Sequence, residues 1–408
     1  MLVLVLALRT GSSAVCQAPG ARVPRVTVSY DRSEQSEPRN TPSTGCRAAF
    51  VADPVTGKVF YEKNAHDRMY PASTTKILTA LMVLENCGMN EKAEVSQTAL
   101  DLVPSGYSSA KLKAGEVFDV ETLLYALLIP SANEAANVLA EHVSGSVEAF
   151  AALCNRRAAE LGCEDLHFVN PNGVHSSDHY CTAYDLYLIA RECRKYEVFN
   201  RIVMTKRFTV PATDIYPDDD RTFENTDEMI QPGTYYYKYC TGIKTGRTNP
   251  AGECFVGSAS YNGTELISVV LGGREENSKG LNDRFYDTKR LFEFVYGTYS
   301  YAQIARKGET VLTVRVGNAG SDDADLGLAV GADIYAFVPD SGDGDFYTVS
   351  FSLQKDISAP VKKGQVLGGI TYYADGFTFR TDITATHDVM TAGRGPRYLL
   401  WNISRVRH

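Results

Sequence analysis

Between about positions 45 and 300 the apolar residues keep two rhythms. Residues 47–52 (Arg-Ala-Ala-Phe-Val-Ala) form a short apolar run that ends at Asp53-Pro54 and Thr56-Gly57, and Lys58 to Tyr61 return. That pattern predicts two strands joined by a turn. From Ser73 to about Asn86 the residues Ile77, Leu78, Leu81, Met82 and Leu84 recur at helical spacing. Further helices are predicted over about 120–129, stopped by Pro130, then 134–142, and 147–161, ending at Gly162. Another covers 182–194, with Thr182 as N-cap and Asp185 in the first turn. Beyond residue 235 Tyr-rich and β-branched runs predict strands at 235–245, 252–260 and 264–272, with Asn262-Gly263 as a hairpin turn. The helical period returns over 283–297. Helices in the middle and antiparallel strands after them give an α/β (α+β) arrangement. From about 305 to 385 short Val/Ile/Phe/Tyr strands alternate with Gly/Asp turns, which predicts a small all-β domain.

The two ends read differently. Leu2 to Leu8 form an apolar run followed by small residues to Ala18, as at the end of a secretory signal, although no basic segment precedes it. Residues 1–18 are therefore expected to be a signal segment and the chain to be exported. Cys16 invites a lipoprotein reading, but Val15 is larger than such a site prefers. Residues 19–44 are rich in Pro, Ser, Arg and Gln and are expected to be a flexible tail. In the final stretch, 386–408, Leu399, Ile403 and Val406 share a face if helical, with Trp401 and four Arg nearby. That composition suits a membrane surface; the alternative is a frayed basic tail.

Composition narrows the classes. The 408 residues are 44% hydrophobic and 22% charged, with a formal charge of −8, so a folded globular protein is expected. No apolar run approaches a membrane span. A net negative chain without a basic block is a poor ligand for nucleic acid. None of the nine cysteines forms a C-x-x-C pair. Cys240 and Cys254 flank a predicted hairpin and would form a disulfide if the strand register aligned them; otherwise they are reduced, buried thiols. His167, His175, His179 and Cys181 lie close in sequence, but their spacing fits no standard metal site, and no metal is expected. Without a G-x-G-x-x-G or Walker loop, no cofactor is expected either.

Three short motifs carry chemistry: Ser73-Thr74-Thr75-Lys76 at a predicted helix start, Ser131-Ala132-Asn133 between helices, and Lys244-Thr245-Gly246 on a predicted strand. Each alone is weak; together, in this order, they form the set of penicillin-binding proteins and class A β-lactamases. A serine hydroxyl needs a base. Residues three apart on a helix share a face, so Lys76 can reach Ser73. Burial and a nearby cation such as Lys244 would lower the Lys76 pKa toward a base. Ser131 can pass a proton to a leaving amine, and Asn133 can bond a substrate amide. Lys244 and Thr245 offer a cation and a hydroxyl to a carboxylate. Gly246 admits a substrate backbone, and the Arg247 N–H would complete an oxyanion site.

The chain also resembles the serine-type D-alanyl-D-alanine carboxypeptidases, the low-molecular-mass penicillin-binding proteins. The stretches that carry it are Tyr70-Pro-Ala-Ser-Thr-Thr-Lys-Ile-Leu-Thr-Ala80, Leu128-Ile-Pro-Ser-Ala-Asn-Glu-Ala-Ala136, His167-Phe-Val-Asn-Pro-Asn-Gly-Val-His175 followed by His179-Tyr-Cys-Thr-Ala-Tyr-Asp185, and Thr241-Gly-Ile-Lys-Thr-Gly-Arg-Thr-Asn-Pro-Ala-Gly-Glu-Cys254. The resemblance covers roughly 45–300. It implies a transpeptidase-type catalytic domain there, an all-β domain at 305–385, and removal of the terminal D-alanine from peptidoglycan stem peptides through a Ser73 acyl-enzyme. β-Lactams would acylate the same serine. The rival readings are a β-lactamase, an endopeptidase on the same fold, and a non-catalytic wall-binding protein. No E-x-x-L-N string follows Ser131, which counts against a class A β-lactamase.

Overall fold

A computed structural model describes residues 27–30, 41–218, 221–320, 324–339 and 347–392. The signal-like segment at 1–18 and the basic stretch from 393 onward lie outside the described residues. The chain divides into two compact units, 39–298 and a second made of 1–38 with 299–408.

The first unit is built on a five-stranded antiparallel sheet. Its strands are β1 (Ala48–Ala52), β2 (Val59–Lys63), β3 (Cys240–Thr248), β4 (Gly252–Tyr261) and β5 (Thr264–Gly273), in the spatial order β2-β1-β5-β4-β3. Six longer helices accompany it: α1 (Lys76–Asn86), α2 (Val120–Leu128), α3 (Asn133–Ser144), α4 (Val147–Glu160), α5 (Ala183–Cys193) and α6 (Asp283–Thr298). The central strands are buried on both faces because helices cover both. Phe255 of β4 meets Phe285 of α6, at 5.4 Å between ring centroids, while its neighbour Val256 joins the core formed by α1 and α5. Helix α1 is buried along its first eight residues, including Lys76, so it runs through the interior. Helix α5 opens with the capping box its sequence predicts: Thr182 Oγ1 accepts from the Asp185 N–H, and Asp185 accepts from the Thr182 N–H, both at 3.0 Å.

The second unit is all β. A sheet with the order β7-β8-β12-β11-β10 uses β7 (Thr310–Arg315), β8 (Asp325–Val330), β10 (Thr348–Leu353), β11 (Val366–Ala374) and β12 (Phe377–Ala385). A separate pair joins β6 (Tyr299–Ala305) to β9 (Ile334–Pro339). No helix among the described residues is long and apolar enough to cross a membrane.

Four expectations change. The expected tail contributes a strand, Thr27–Tyr30, which pairs antiparallel with β12 from Phe377 to Arg380. The Tyr-rich run begins as turn, and the strand starts only at Cys240. Ser73 sits in a 3-10 turn, Ala72–Thr75, with the α-helix starting at Lys76. Cys240 and Cys254 do not pair: register sets Cys240 opposite Ala259 and Cys254 opposite Gly246, and the eight described cysteines are all free.

Candidate active site

The N-terminal ends of α1 and α3 meet beneath the sheet edge formed by β3. Ser73 occupies the 3-10 turn that leads into α1, and Lys76 is the first residue of that helix. Lys76 is fully buried, and its Nζ reaches Ser73 Oγ at 3.0 Å, Asn133 Oδ1 at 2.9 Å and the Asn172 carbonyl at 2.6 Å. All three partners are oxygens, and the amine donates to each of them. Burial holds the Lys76 pKa well below the ordinary lysine value, and the positive charge of Lys244 pushes the same way against a smaller pull from Glu134. Both helix N-termini add positive potential at the same place.

The turn bearing Ser73 is held from three sides. Ala72 has φ 49°, in the left-handed region, which costs an ordinary residue about 1–2 kcal/mol. Its carbonyl accepts from Thr75 Oγ1 at 2.8 Å. Thr75 Oγ1 lies 2.8 Å from His179 Nε2, and His179 Nδ1 accepts from the Val169 N–H at 3.1 Å. The proton therefore sits on Nε2, and the imidazole donates to Thr75. Burial depresses the His179 pKa to about 3, so the ring is neutral. Thr79 Oγ1 donates to the Pro171 carbonyl at 2.6 Å. The segment 167–181, whose His and Cys residues raised a metal reading, thus supports the Ser73 turn from within the protein.

Two glycines permit the close packing. A Cβ on Gly173 would stand 1.9 Å from the Ala72 oxygen, and one on Gly246 would stand 2.9 Å from both the Pro71 oxygen and the Ser73 nitrogen. The sequence assigned Gly246 to a passing substrate; its tightest demand comes from the protein's own Ser73 turn.

The remaining expected residues fall as follows. Asn133 is engaged within the protein: Oδ1 takes the Lys76 bond and Nδ2 donates to the Ser108 carbonyl at 2.8 Å. Both ends of its side-chain amide are thus bonded within the protein. Ser131 is buried at φ 63°, and its Oγ has no hydrogen-bond partner among the described residues. Lys244 is buried, donates to the Thr245 carbonyl at 3.0 Å, and has its pKa lowered to about 7 by burial and by Arg284. Thr245 Oγ1 donates to Thr226 Oγ1 at 2.6 Å. The Arg247 side chain points to Glu275 and Glu253, at 2.6 and 3.1 Å. A cleft of about 440 Å³ is lined by Ser73, Ser108, Asn133, Gly173, His175 and Arg247, among others.

Sequence reasoning missed Asn172, His179, Thr226 and Arg284. Asn172 acts through its carbonyl, which no residue type encodes. Arg284 comes from α6, far along the chain, and donates to the Gly246 carbonyl at 3.4 Å. Asn172, in the Asn-Pro-Asn-Gly turn, and His179 lay within stretches that carry the resemblance, without a role of their own.

This arrangement can do acyl transfer: a hydroxyl beside a desolvated amine, an unpartnered hydroxyl, a buried cation, and no step that requires a cofactor. Comparison with known proteins agrees. Residues 34–275 match the D-alanyl-D-alanine carboxypeptidase family, and residues 299–391 match the C-terminal domain of penicillin-binding protein 5. The chain is 30% identical over 356 residues to D-alanyl-D-alanine carboxypeptidase DacF of Bacillus subtilis (strain 168), covering 85% of this chain and 86% of that one. It is 28% identical over 347 residues to DacA of Escherichia coli (strain K12), covering 83% and 81%. The solved structure of PBP3 from Streptococcus pneumoniae, a peptidoglycan synthesis regulatory factor, superposes with a TM-score of 0.63 at 25% identity, covering 85% of this chain and 100% of that one. The chain belongs to the D-alanyl-D-alanine carboxypeptidase family of serine hydrolases, with a transpeptidase-type unit of helices and sheet followed by an all-β unit.

Proposed function

We propose that Ser73 is the nucleophile and that the substrate is a peptidoglycan stem peptide ending in D-Ala-D-Ala. The observation that carries this reading is the Lys76 amine, buried and aimed at Ser73 Oγ at 3.0 Å. Lys76 takes the Ser73 proton as Oγ attacks the carbonyl between the two D-alanines. The N–H groups of Ser73 and Arg247 receive the oxyanion. Ser131 passes a proton to the departing amine, the C–N bond breaks, and D-alanine leaves. Water then cleaves the ester and returns the proton. Lys244 and Thr245 hold the terminal carboxylate, Gly246 gives the strand its close approach, and Asn133 keeps Lys76 in place. A β-lactam acylates Ser73 in the same way and hydrolyses slowly.

The same reading places the catalytic domain at 45–300 and the small β domain at 305–385. It makes the chain exported, and of the basic, apolar stretch 386–408 it assigns residues 393–408 to a membrane surface, since Val389 is buried in the core of the β unit. Composition supports that last assignment, and co-sedimentation with anionic vesicles, with and without those residues, tests it.

The decisive experiment measures free D-alanine released from a diacetyl-Lys-D-Ala-D-Ala peptide. The wild type is expected to release it, and Ser73→Ala to lose at least ~10⁴-fold in rate. Equal release by both proteins would sink the assignment of Ser73. No release by either would sink the substrate.

A further inference from the structure

Helices α1 and α3 start together at Lys76 and Asn133, and they run in the same direction. Their far ends carry a second cluster of side chains. Cys87 caps the C-terminus of α1 with an extended backbone, its N–H bonded to the Val83 carbonyl at 2.9 Å. Glu91 follows in the next loop. His142 lies in the last turn of α3. One sulfur, one carboxylate oxygen and one imidazole nitrogen from these three residues all lie within 4.8 Å of one another. The Gly88 N–H, at 2.5 Å, holds Glu91 Oε1 over the turn, which leaves Oε2 3.1 Å from His142 Nε2.

We propose that Cys87, Glu91 and His142 form a site for one zinc-class divalent cation, with water in the fourth position. Thiolate, imidazole and carboxylate are the donors from which zinc sites are made. A sulfur ligand disfavours magnesium and calcium, which take oxygen. With metal–ligand bonds of roughly 2.0–2.3 Å, a tetrahedral site brings its donors to within about 4 Å of each other. The side chains therefore close by about an ångström, and Glu91 is exposed enough to move. Charge balances: the Cys87 thiol gives its proton to solvent, and thiolate plus carboxylate neutralise the dication. Two helix C-termini point here, and their negative ends favour a cation.

The site is not part of the chemistry. Eleven residues of helix at ~1.5 Å each set it roughly 16 Å from Lys76. Its effect is mechanical: the metal ties the far ends of the two helices whose near ends hold Lys76 and Asn133. The expectation of no metal weighed only the 167–181 residues. Cys87 and His142 are 55 positions apart and share no motif, so their proximity is visible only in the fold.

The test is a titration of the reduced, metal-free full chain with cobalt(II), a spectroscopic stand-in for zinc. A thiolate-to-cobalt charge-transfer band should grow to one equivalent and be displaced by zinc. Cys87→Ser should abolish the band. Glu91→Gln and His142→Ala, which keep the thiol, should weaken zinc binding on the order of 10–100-fold or more, measured by competition with a chelator. Circular dichroism confirms that each variant is folded. A wild type without the band, or a band that persists in folded Cys87→Ser, overturns the proposal. If Cys87→Ser does not fold, unchanged zinc affinity in both Glu91→Gln and His142→Ala overturns it equally. None of these readouts depends on the peptidase reaction.

Discussion

The two units treat buried polarity in opposite ways. The interior of 39–298 holds Lys76, Lys244, Arg221, Glu116, Glu134, Asp227 and His179, among others. Among the described residues of the other unit, Thr381 is the one buried polar side chain that is not aromatic, and Leu326, Leu328, Ile370 and Ile383 belong to an apolar core. Burying charge costs free energy that apolar residues of similar volume would not. The first unit accepts that cost in two ways. Arg221 and Glu116 are both fully buried and meet twice, at 2.8 and 2.9 Å, so each charge answers the other. Lys76 instead is held at low pKa by burial and by a second lysine. A paired buried charge supports the fold. A buried cation set near another cation marks chemistry.

Four buried hydroxyls have no hydrogen-bond partner among the described residues, Ser131, Ser268, Thr288 and Thr381, and the first and last of them let the comparison be broken experimentally. Ser131→Ala carries the larger effect. Release of D-alanine should fall by about 10²–10⁴-fold, the usual worth of a proton-transfer group. Stability to urea should hold or rise slightly, because an unsatisfied hydroxyl leaves the interior. A variant that unfolds more easily and keeps its rate would move Ser131 from chemistry to structure.

The next effect is a pH dependence of stability. His179 is neutral in the fold, with a pKa of about 3 against an ordinary 6.5. Between those values the unfolded chain binds the extra proton, so stability falls as pH drops through that window. By about pH 4 this amounts to roughly 3 kcal/mol. His179→Gln removes the titration. Urea melts at pH 7 and pH 4 should therefore show a steeper loss in the wild type than in the variant. Parallel losses would mean that the buried imidazole is not protonated on unfolding.

The chain's own residues made some of this legible. Helical spacing located α2, α4 and α5 to within a residue or so, and the end of α1, whose expected start at Ser73 lies three residues early. The three motifs singled out Ser73, Lys76, Asn133 and Lys244, and the fold brings Lys76 into hydrogen-bond contact with Ser73 and Asn133. Positioning by backbone was not legible. The Asn172 carbonyl, the left-handed Ala72 and the Cys254 register depend on how distant segments meet. Gly173 shows the limit well. Its place in an Asn-Pro-Asn-Gly turn explains φ +81° but not the Ala72 oxygen 1.9 Å from where a Cβ would stand. Gly173→Ala should cost at least ~2 kcal/mol, from the left-handed backbone and the clash together. Acylation by a fluorescent penicillin should slow as the Ser73 turn shifts. A variant as stable as the wild type would show that this turn yields more easily than its three supports imply.

The smallest effect sharpens the contrast most. Thr381 is buried on β12 opposite Ile370 of β11, which belongs to the apolar core. Valine has nearly the same shape, keeps the stiff β-branched rotamer, and suits a strand. Thr381→Val therefore removes one unpaired hydroxyl and little else. A gain of about 1 kcal/mol is expected in urea melts, with D-alanine release unchanged. Deleting the same chemical group at Ser131 should leave stability similar and remove most of the rate. If Thr381→Val instead destabilises the protein, that hydroxyl has a solvent partner. If both outcomes hold, one deletion in two settings separates a hydroxyl that awaits a substrate from one that merely occupies space.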